Sequence, residues 1–432
     1  MSFESTLPLK SLVRICGGKR LPAGKALQTE PNNHPYIRVR DVGQRELPKQ
    51  GLEYVPDELF PPISRYIVET NDVVLSIVGT IGALSIVDQH YHLASLTENC
   101  VRLNGLDKQD ALYLYYYLKS QIGQFEIAKG TVGAVQPKLP IYNIEKIPVP
   151  WPDRLIRQSI SSLLCSLDDR IALLCETNTT LEAIAQALFK SWFVDFDPVR
   201  AKQEGREPEG MDADTAALFP DSFEESKLGL VPKGWKVGVL GDIAVSIRKQ
   251  IPTSELNTEL SYIGLEHIPR QSLSICNWDN AQGLESAKAA FSKGDILFGK
   301  LRPYFHKVII APFEGVCSTD ILVCRSKQST YYGIITMHLF SVKLVEYANR
   351  LSNGAKMPRV NWKDIAAYTI CIPSSTIAKK YSNVVIPLFE RMMANVHTTK
   401  TLESLRDTLL PRLISGQLRI PEAETIIEEA TV

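Results

Sequence analysis

No stretch of the 432 residues is apolar for long enough to span a bilayer, and the opening MSFESTLPLKSLVR lacks the apolar core of a secretory signal. The eight cysteines (Cys16, Cys100, Cys165, Cys175, Cys276, Cys317, Cys324 and Cys371) are scattered, with no CxxC pair and no Cys/His cluster. That argues against a disulfide framework and a zinc module, and points to reduced thiols in a cytoplasm. The seven histidines show no HExxH or other metal spacing.

An excess of charge is also missing: 48 Lys+Arg balance 48 Asp+Glu, which by itself argues weakly against a nucleic-acid partner. The sum conceals an asymmetry. Residues 235–373 carry 16 basic against 11 acidic side chains (+5), residues 195–234 carry 5 against 10 (−5), and residues 1–150 carry 16 against 15. Such blocks are commonly just solvated faces.

Catalytic signatures are absent as well. A base-modifying methyltransferase needs a Gly-rich loop and an Asp/Asn-Pro-Pro-aromatic tetrapeptide. Phe60-Pro61-Pro62-Ile63 lacks both the polar first residue and the aromatic last one, and reads as a turn. Pro220-Asp221 with Glu225-Ser226-Lys227 imitates a nuclease motif, but the acids are four apart, in a linker with no strand pattern. Gly18 to Gly24-Lys25 is one residue too long for a phosphate-binding loop, and Ala26 replaces the Ser/Thr that would ligate Mg²⁺. No catalytic residue and no metal ligand is assigned. The chain reads as a binding subunit that borrows its chemistry.

What is present is a long heptad seam over residues 155–196. Ile160, Leu164, Leu167, Ile171, Leu174, Leu181, Ala185, Leu188 and Trp192 recur in steps of four and three, with Asn178 in the one polar slot and no Gly or Pro. That predicts one helix of roughly 55–60 Å at ~1.5 Å per residue, in need of a partner. Before it, short strands such as YIRVRDV (36–42) and DVVLSIV (72–78) alternate with Gly-rich loops, and a helical stretch ends at Gly130. After it comes an acidic, Pro/Gly-rich connector, a second strand-rich region from Trp235, a helical stretch ending at Gly354, and another helix over 377–418 that Pro387 and Pro411 should kink or bound.

The second half repeats the first. Pro137 and Pro358 are 221 apart (358 − 137), as are Ile144 and Ile365, Pro152 and Pro373, and Leu188 and Leu409. Upstream the offset drifts to 223 for Asp72/Asp295 and 226 for Tyr36/Tyr262. Insertions therefore collect in the loop-rich parts and spare the helices. The expected topology pairs the two helices antiparallel within the chain as a pseudo-two-fold dumbbell; the rival is pairing within a homodimer. The second seam, with Leu388, Met392, Leu402 and Leu409, is more polar than the first, because Asn395, Thr399 and Arg406 match Leu174, Asn178 and Ala185.

LFKSWFVDFDPVRAK (188–202), GM (210–211), LFPDSFEESKLG (218–229), PKGW (232–235), LRDTLLPRLISGQL (405–418), YIGLEHI (262–268) and GDILFGK (294–300) occur in that order around the internal repeat. With them the chain resembles the specificity subunits (HsdS) of type I restriction-modification systems over nearly its whole length. The resemblance implies an α+β architecture of two mixed α/β target-recognition domains, each followed by a long helix. Each domain would read one half of a split, asymmetric double-stranded DNA site. The helices would set the spacing and dock two copies of the methyltransferase subunit HsdM, and two HsdR subunits would join through the complex. S-adenosylmethionine, ATP and Mg²⁺ would bind the partner subunits, with no cofactor in this chain. The alternatives are a coiled-coil scaffold without a DNA role and a self-contained methyltransferase or nuclease. The expected division is 1–152 and 235–375 for the recognition domains, 153–197 and 376–420 for the spacer helices, 198–234 for the connector and 421–432 for a solvated acidic tail.

DNA reading needs basic and amide side chains presented from loops. The candidates are Lys19 and Arg20 in GGKRLPAGK (17–25), Lys138 in GTVGAVQPK (130–138), Lys249 in IRKQIPTS (247–254), Lys300, Arg302 and Tyr304 in FGKLRPYFHK (298–307), and Lys356 and Arg359 in NGAKMPR (353–359). Lys138 and Arg359 are repeat partners. The bland reading of each is a solvated basic loop. Trp192, Phe193 and Phe196 either pack on the second domain, on Trp235 for instance, or form a docking patch for HsdM. Asn178 is either a register-setting polar pair or a poorly packed position.

Overall fold

The computed structural model describes residues 6–352, 354 and 357–431. It divides into two units, Met1–Arg170 with Thr401–Val432, and Ile171–Lys400, and the chain passes between them inside its two long helices.

In the first unit a four-stranded antiparallel sheet has the spatial order Arg14–Gly17, Cys100–Asn104, Val73–Ser76, Leu84–Ile86. In the second unit the order is the same: Ala244–Ile247, Ile321–Ser326, Ile296–Gly299, Val308–Ile310. The core of a second sheet repeats too, in a three-stranded sheet of the first unit and a five-stranded sheet of the second. Tyr36 lies opposite Glu53 and, in parallel, Ser95. Tyr262 lies opposite Asp279 and, in parallel, Val316. The offsets are 262 − 36 = 226, 279 − 53 = 226 and 316 − 95 = 221, so the register of the sequence repeat is a register of strands. Even the turn into the central strand is copied. Asp72 Oδ2 accepts the Glu69 N–H at 2.8 Å, and Asp295 Oδ2 accepts the Ser292 N–H at 2.8 Å. Burial pushes the Asp72 carboxyl up to about 6.

Each domain closes with a strand pair that joins its start to its end: Thr6–Pro8 with Pro148–Pro150, and Lys236–Val239 with Thr369–Ile372.

The first long helix runs Arg154–Lys190 and the second Ser375–Ile414. Neither Pro387 nor Pro411 ends the second. A proline removes one helical hydrogen bond, and the turns around Pro387 are held by Tyr381, Val385, Phe389 and Met392, all buried in the second unit's core. The first helix does not continue to Phe196 as one α-helix. It widens into a π-turn over Ser191–Asp195, and Phe196 adopts left-handed backbone (φ 56°). The wider turn brings neighbouring aromatics inward together. Phe193 lies 5.8 Å from Trp235 and 4.9 Å from Tyr381, Trp192 lies 5.3 Å from Phe219, and Phe196 lies 5.7 Å from Trp235. Burial of each such ring stabilises by about 1.5–3 kcal/mol.

The seam is antiparallel within each unit. In the first, Ile160, Leu164, Leu167, Leu402 and Leu409 are buried, and Arg406 bonds Asp168 at 2.8 Å. In the second, the buried Asn395 donates its amide to Asn178 Oδ1 at 2.8 Å, and Asn178 donates to the Met392 carbonyl at 3.2 Å. Asn178 is thus one half of a polar pair within this chain. Met392 is buried; Ile171, Leu174, Leu181, Leu188 and Leu388 are half-buried.

Two stretches are more ordered than their composition suggests. The acidic connector forms helices Asp197–Gln203 and Ala213–Ala217 and a hairpin of Phe223–Ser226 with Gly229–Pro232, and it buries Val199, Phe219 and Val231. The C-terminal stretch is a helix, Ile420–Thr431, that keeps its glutamates exposed and buries Ala423.

The domains are fixed to the helices differently. Helix Lys108–Lys119 buries Tyr113, Tyr115, Tyr116 and Tyr117. Tyr113 donates to the Pro150 carbonyl at 2.9 Å and Tyr116 to Asp168 at 2.7 Å; Arg157 grips Asp110 at 2.9 and 3.1 Å, and Arg45 pairs with Asp169. The second unit uses close packing. A Cβ on Gly333 would lie 2.5 Å from Val385, Tyr332 packs on Phe389, and the buried Glu182 carboxylate accepts the Leu273 N–H at 2.7 Å.

Asn178→Leu strands the Asn395 amide and lowers the urea midpoint of the second unit, at a cost of about 1–3 kcal/mol, whereas Asn178→Leu with Asn395→Leu recovers most of the loss. A double mutant as unstable as the sum of the singles contradicts the pairing. His338 is buried between Phe189 and Tyr368, and burial pulls its imidazole down to about 4. The unfolded state takes up the proton near pH 6.5 and the folded state does not, so stability is lost as pH falls from about 6.5 to 4. The loss is about 3 kcal/mol at ~1.36 per unit. His338→Phe removes that part of the pH dependence of the denaturation midpoint.

Candidate nucleic-acid interface

The basic loops are built by backbone, and the two units build theirs alike. After helix Gln121–Gly130 the chain forms a tight hairpin in which Val132 and Lys138 exchange both backbone hydrogen bonds at 2.9 Å. Gly133 at its corner has φ +98°, and a Cβ there would lie 2.9 Å from the Gln136 carbonyl oxygen. The hairpin is tied to the central strand's exit by the Leu139 N–H on the Ile77 carbonyl at 2.9 Å. In the second unit Gly354 has φ +110°, and its added Cβ would lie 3.1 Å from the Met357 carbonyl oxygen. There the Val360 N–H bonds the Lys300 carbonyl at 3.1 Å. Gly354 − Gly133 and Val360 − Leu139 are both 221. The common frame is Gly-Ala-x-x-Pro-Lys/Arg.

The cations it presents differ in surroundings. Lys138 is exposed. Arg359 is also exposed but forms a two-point ion pair with Asp320, at 2.9 and 3.3 Å, which raises its pKa. The matching residue in the first unit is Asn99: the Ile77 N–H bonds its carbonyl as the Lys300 N–H bonds that of Asp320. Lys356 lies outside the described residues.

Lys300, Arg302 and Arg359 are brought together. Arg302 has left-handed backbone (φ 50°), its N–H donates to the Pro358 carbonyl at 2.7 Å, and it opens the turn Pro303–Phe305 that leaves Tyr304 half exposed. His306 anchors that turn through Nε2, 2.8 Å from the Phe340 carbonyl oxygen; burial lowers its pKa. Lys19 and Arg20 belong to another strand end. The Lys19 N–H bonds the Leu96 carbonyl at 2.7 Å, Lys19 Nζ lies 6.0 Å from the Tyr66 ring, and Arg20 is 3.6 Å from Glu98. Lys249 is exposed on an edge.

Sequence reasoning missed Arg248 and Lys363. Together with Gln250, Lys300, Thr319 and Asn361 they line an open cleft of about 490 Å³ in the second unit. Arg248 lay inside a quoted motif, but nothing local ties Lys363, more than a hundred residues on, to the same cleft. Contrary to the linker pattern of the sequence, Glu225 lies on a strand, in the hairpin that Gly229 (φ +87°) closes, and Glu224 of that strand accepts the Gly234 N–H at 3.1 Å.

Among the described residues no three His, Cys, Asp or Glu side chains cluster to hold a metal ion. Phe60-Pro61-Pro62-Ile63 forms a short helical turn. Burial pushes the thiols of Cys100, Cys317 and Cys371 up to about 12, away from the range of reactive cysteines. No described helix is long and apolar enough to cross a membrane.

The family model for the type I restriction modification DNA specificity domain matches residues 4–183 and 232–395, once per repeat. The MjaIX type I restriction enzyme specificity subunit of Methanocaldococcus jannaschii is 25% identical over 426 residues, covering 96% of this chain and 93% of the relative. The HindI specificity subunit of Haemophilus influenzae is 23% identical over 439 residues, covering 89% and 92%. The crystal structure of a type I restriction-modification S subunit from M. genitalium superposes with a TM-score of 0.56 at 16% identity, covering 95% of each chain.

Gly18 is the most constrained residue of the first unit's basic loops, since a Cβ there would lie 2.1 Å from the Thr97 carbonyl oxygen. Gly18→Ala therefore displaces the 17–25 loop. The expected result is a melting temperature several degrees lower, with weakened DNA retention; an unchanged melting curve contradicts the close approach.

Proposed function

This chain belongs to the type I restriction modification DNA specificity family, and from that premise we propose that it reads a split, asymmetric duplex DNA site, one recognition domain per half-site. Residues 1–152 and 235–375 do the reading. The helical segments 153–197 and 376–420 set the gap between half-sites and dock two methylation subunits of the complex. The chain itself contributes specificity and no bond-making chemistry. S-adenosylmethionine, ATP and Mg²⁺ act on partner subunits, restriction subunits join through the assembly, and the complex works in the cytoplasm.

The observation that carries this reading is one bridge made twice, Val78 to Lys138 and Leu301 to Arg359, which sets a cation at the same place in each unit, while the sequence between the shared Gly-Ala and Pro differs (Val135-Gln136 against Lys356-Met357). Shared cations suit phosphates, which are the same everywhere on DNA. Differing residues beside them suit two different half-sites. The helices support the spacing role, because the repeat keeps one offset, 221, from Pro152/Pro373 through the helix starts Arg154/Ser375 to Leu188/Leu409, while the loops drift in offset.

The test is methylome sequencing of cells that express this subunit with its methylation subunit. Methylated adenines should fall in two short sequence blocks separated by a fixed stretch of unread bases. A continuous palindrome, or no methylated adenine, overturns the reading. Inserting about four residues, one turn, into both helices should lengthen the gap and leave both blocks unchanged.

A further inference from the structure

The cleft of the second unit has a wall composition that its first-unit counterpart lacks. Arg248, Lys300 and Lys363 line it, no carboxylate does, and none of the three side chains has a hydrogen-bond or ion-pair partner among the described residues. Of the acids adjacent in sequence to lining residues, Asp320 holds Arg359 at two points and Asp364 accepts the Asn361 N–H at 3.4 Å. Buried Ile321 and Val323 form part of the lining and fix the cleft on the central sheet. The strand register gives the first-unit equivalents: Lys300 matches Ile77 (300 − 77 = 223), Lys363 matches Tyr142 (363 − 142 = 221), and Arg248 matches Gly18 (248 − 18 = 230). Three cations have become two apolar or aromatic side chains and a glycine. Ile141 also comes within 3.9 Å of the Cβ position of Gly17. The +5 charge of residues 235–373 thus includes a built concavity and not only a solvated face.

We propose that this cleft is a phosphate clamp: it takes the phosphodiester backbone of duplex DNA beside the half-site read by the second domain, and the first domain has no equivalent. Unpaired lysines on flexible stems act as point charges, and an unpaired arginine can fork onto a single phosphate. No partner among the described residues orients these three side chains as a bidentate contact to a base edge would need, and phosphates carry no sequence information. At about 490 Å³ the cleft admits one or two backbone units and excludes a whole duplex. The clamp therefore adds affinity without sequence preference. It also makes the second half-site the larger source of salt dependence.

The assignment rests on the second domain being a DNA reader. The experiment measures duplex binding by the full chain in complex with its methylation subunits, between 50 and 200 mM salt. It compares wild type, the triple variant Arg248→Gln/Lys300→Gln/Lys363→Gln, and a control with two exposed lysines changed elsewhere, Lys236→Gln/Lys343→Gln. Each lost phosphate contact removes about 0.9 from the log–log slope. The triple variant should lose about 2.7, so that the affinity change across this salt range shrinks roughly 40-fold. Cognate and mismatched DNA should be affected equally, the methylated motif should stay the same, and the control should match wild type. If the triple variant does not fold, Arg248→Gln alone should lower the slope by about one.

A steep wild-type slope that the triple variant keeps overturns the clamp and leaves the DNA-reading function standing. A relaxed motif at the second half-site overturns it in favour of base reading. Competition by millimolar inorganic phosphate that is lost in the triple variant, with the DNA slope intact, assigns the cleft to a free phosphate and overturns it too. Absence of salt-dependent duplex binding by the wild-type complex removes the functional reading itself.

Discussion

A hydrogen bond between two buried amides, Asn395 and Asn178, sets the register of the helix pair in the second unit. Apolar seams tolerate sliding, because one leucine is much like another. An amide buried among them is not tolerant, since a shift of one heptad would leave both groups without partners in a medium that cannot solvate them. The insertion pattern agrees with this constraint. Upstream offsets drift from 221 to 226 in the strand-rich parts, while the helices keep theirs. Loops can lengthen without disturbing the seam; a residue added within a helix would rotate every later seam position by about 100°.

The two recognition domains share a backbone plan and differ in what fastens them to their helices. The first relies on tyrosine hydroxyls, Tyr116 on Asp168 among them, and on arginine–carboxylate pairs at Asp110 and Asp169. The second relies on a continuous apolar core that includes Trp192, Phe193, Trp235, Tyr381 and Phe389. Directional bonds fix an orientation by geometry, and packed rings fix it by volume. The connector is part of the second solution: its acids face outward while Val199, Phe219 and Val231 close the core beneath them.

Much of this was legible in the sequence, for reasons that can be named. The long helix followed from a seam with no Gly or Pro, and the duplicate sheets followed from matched offsets such as Tyr36/Tyr262 and Asp72/Asp295, where one turn is built twice. Other features were not legible. The π-turn at Ser191–Asp195 breaks no composition rule and exists because the core of the second unit accepts two neighbouring aromatics. Pro387 looks like a helix breaker in sequence, but large buried side chains on either side outweigh the one bond it removes. The basic cleft was invisible because Arg248, Lys300 and Lys363 are far apart in the chain and meet only through strand pairing and the short helix that starts at Trp362.

The terminal strand pairs of the two domains carry a further consequence. Pro8 lies opposite Pro148 in one domain, and Val239 lies opposite Thr369 in the other. Start and end of each domain are therefore neighbours, and each domain hangs from a two-strand stem. Genetic exchange of everything beyond the stem alters no helix position. Such a chain can change what it recognises by recombination in one step while the seam between its helices stays as it was.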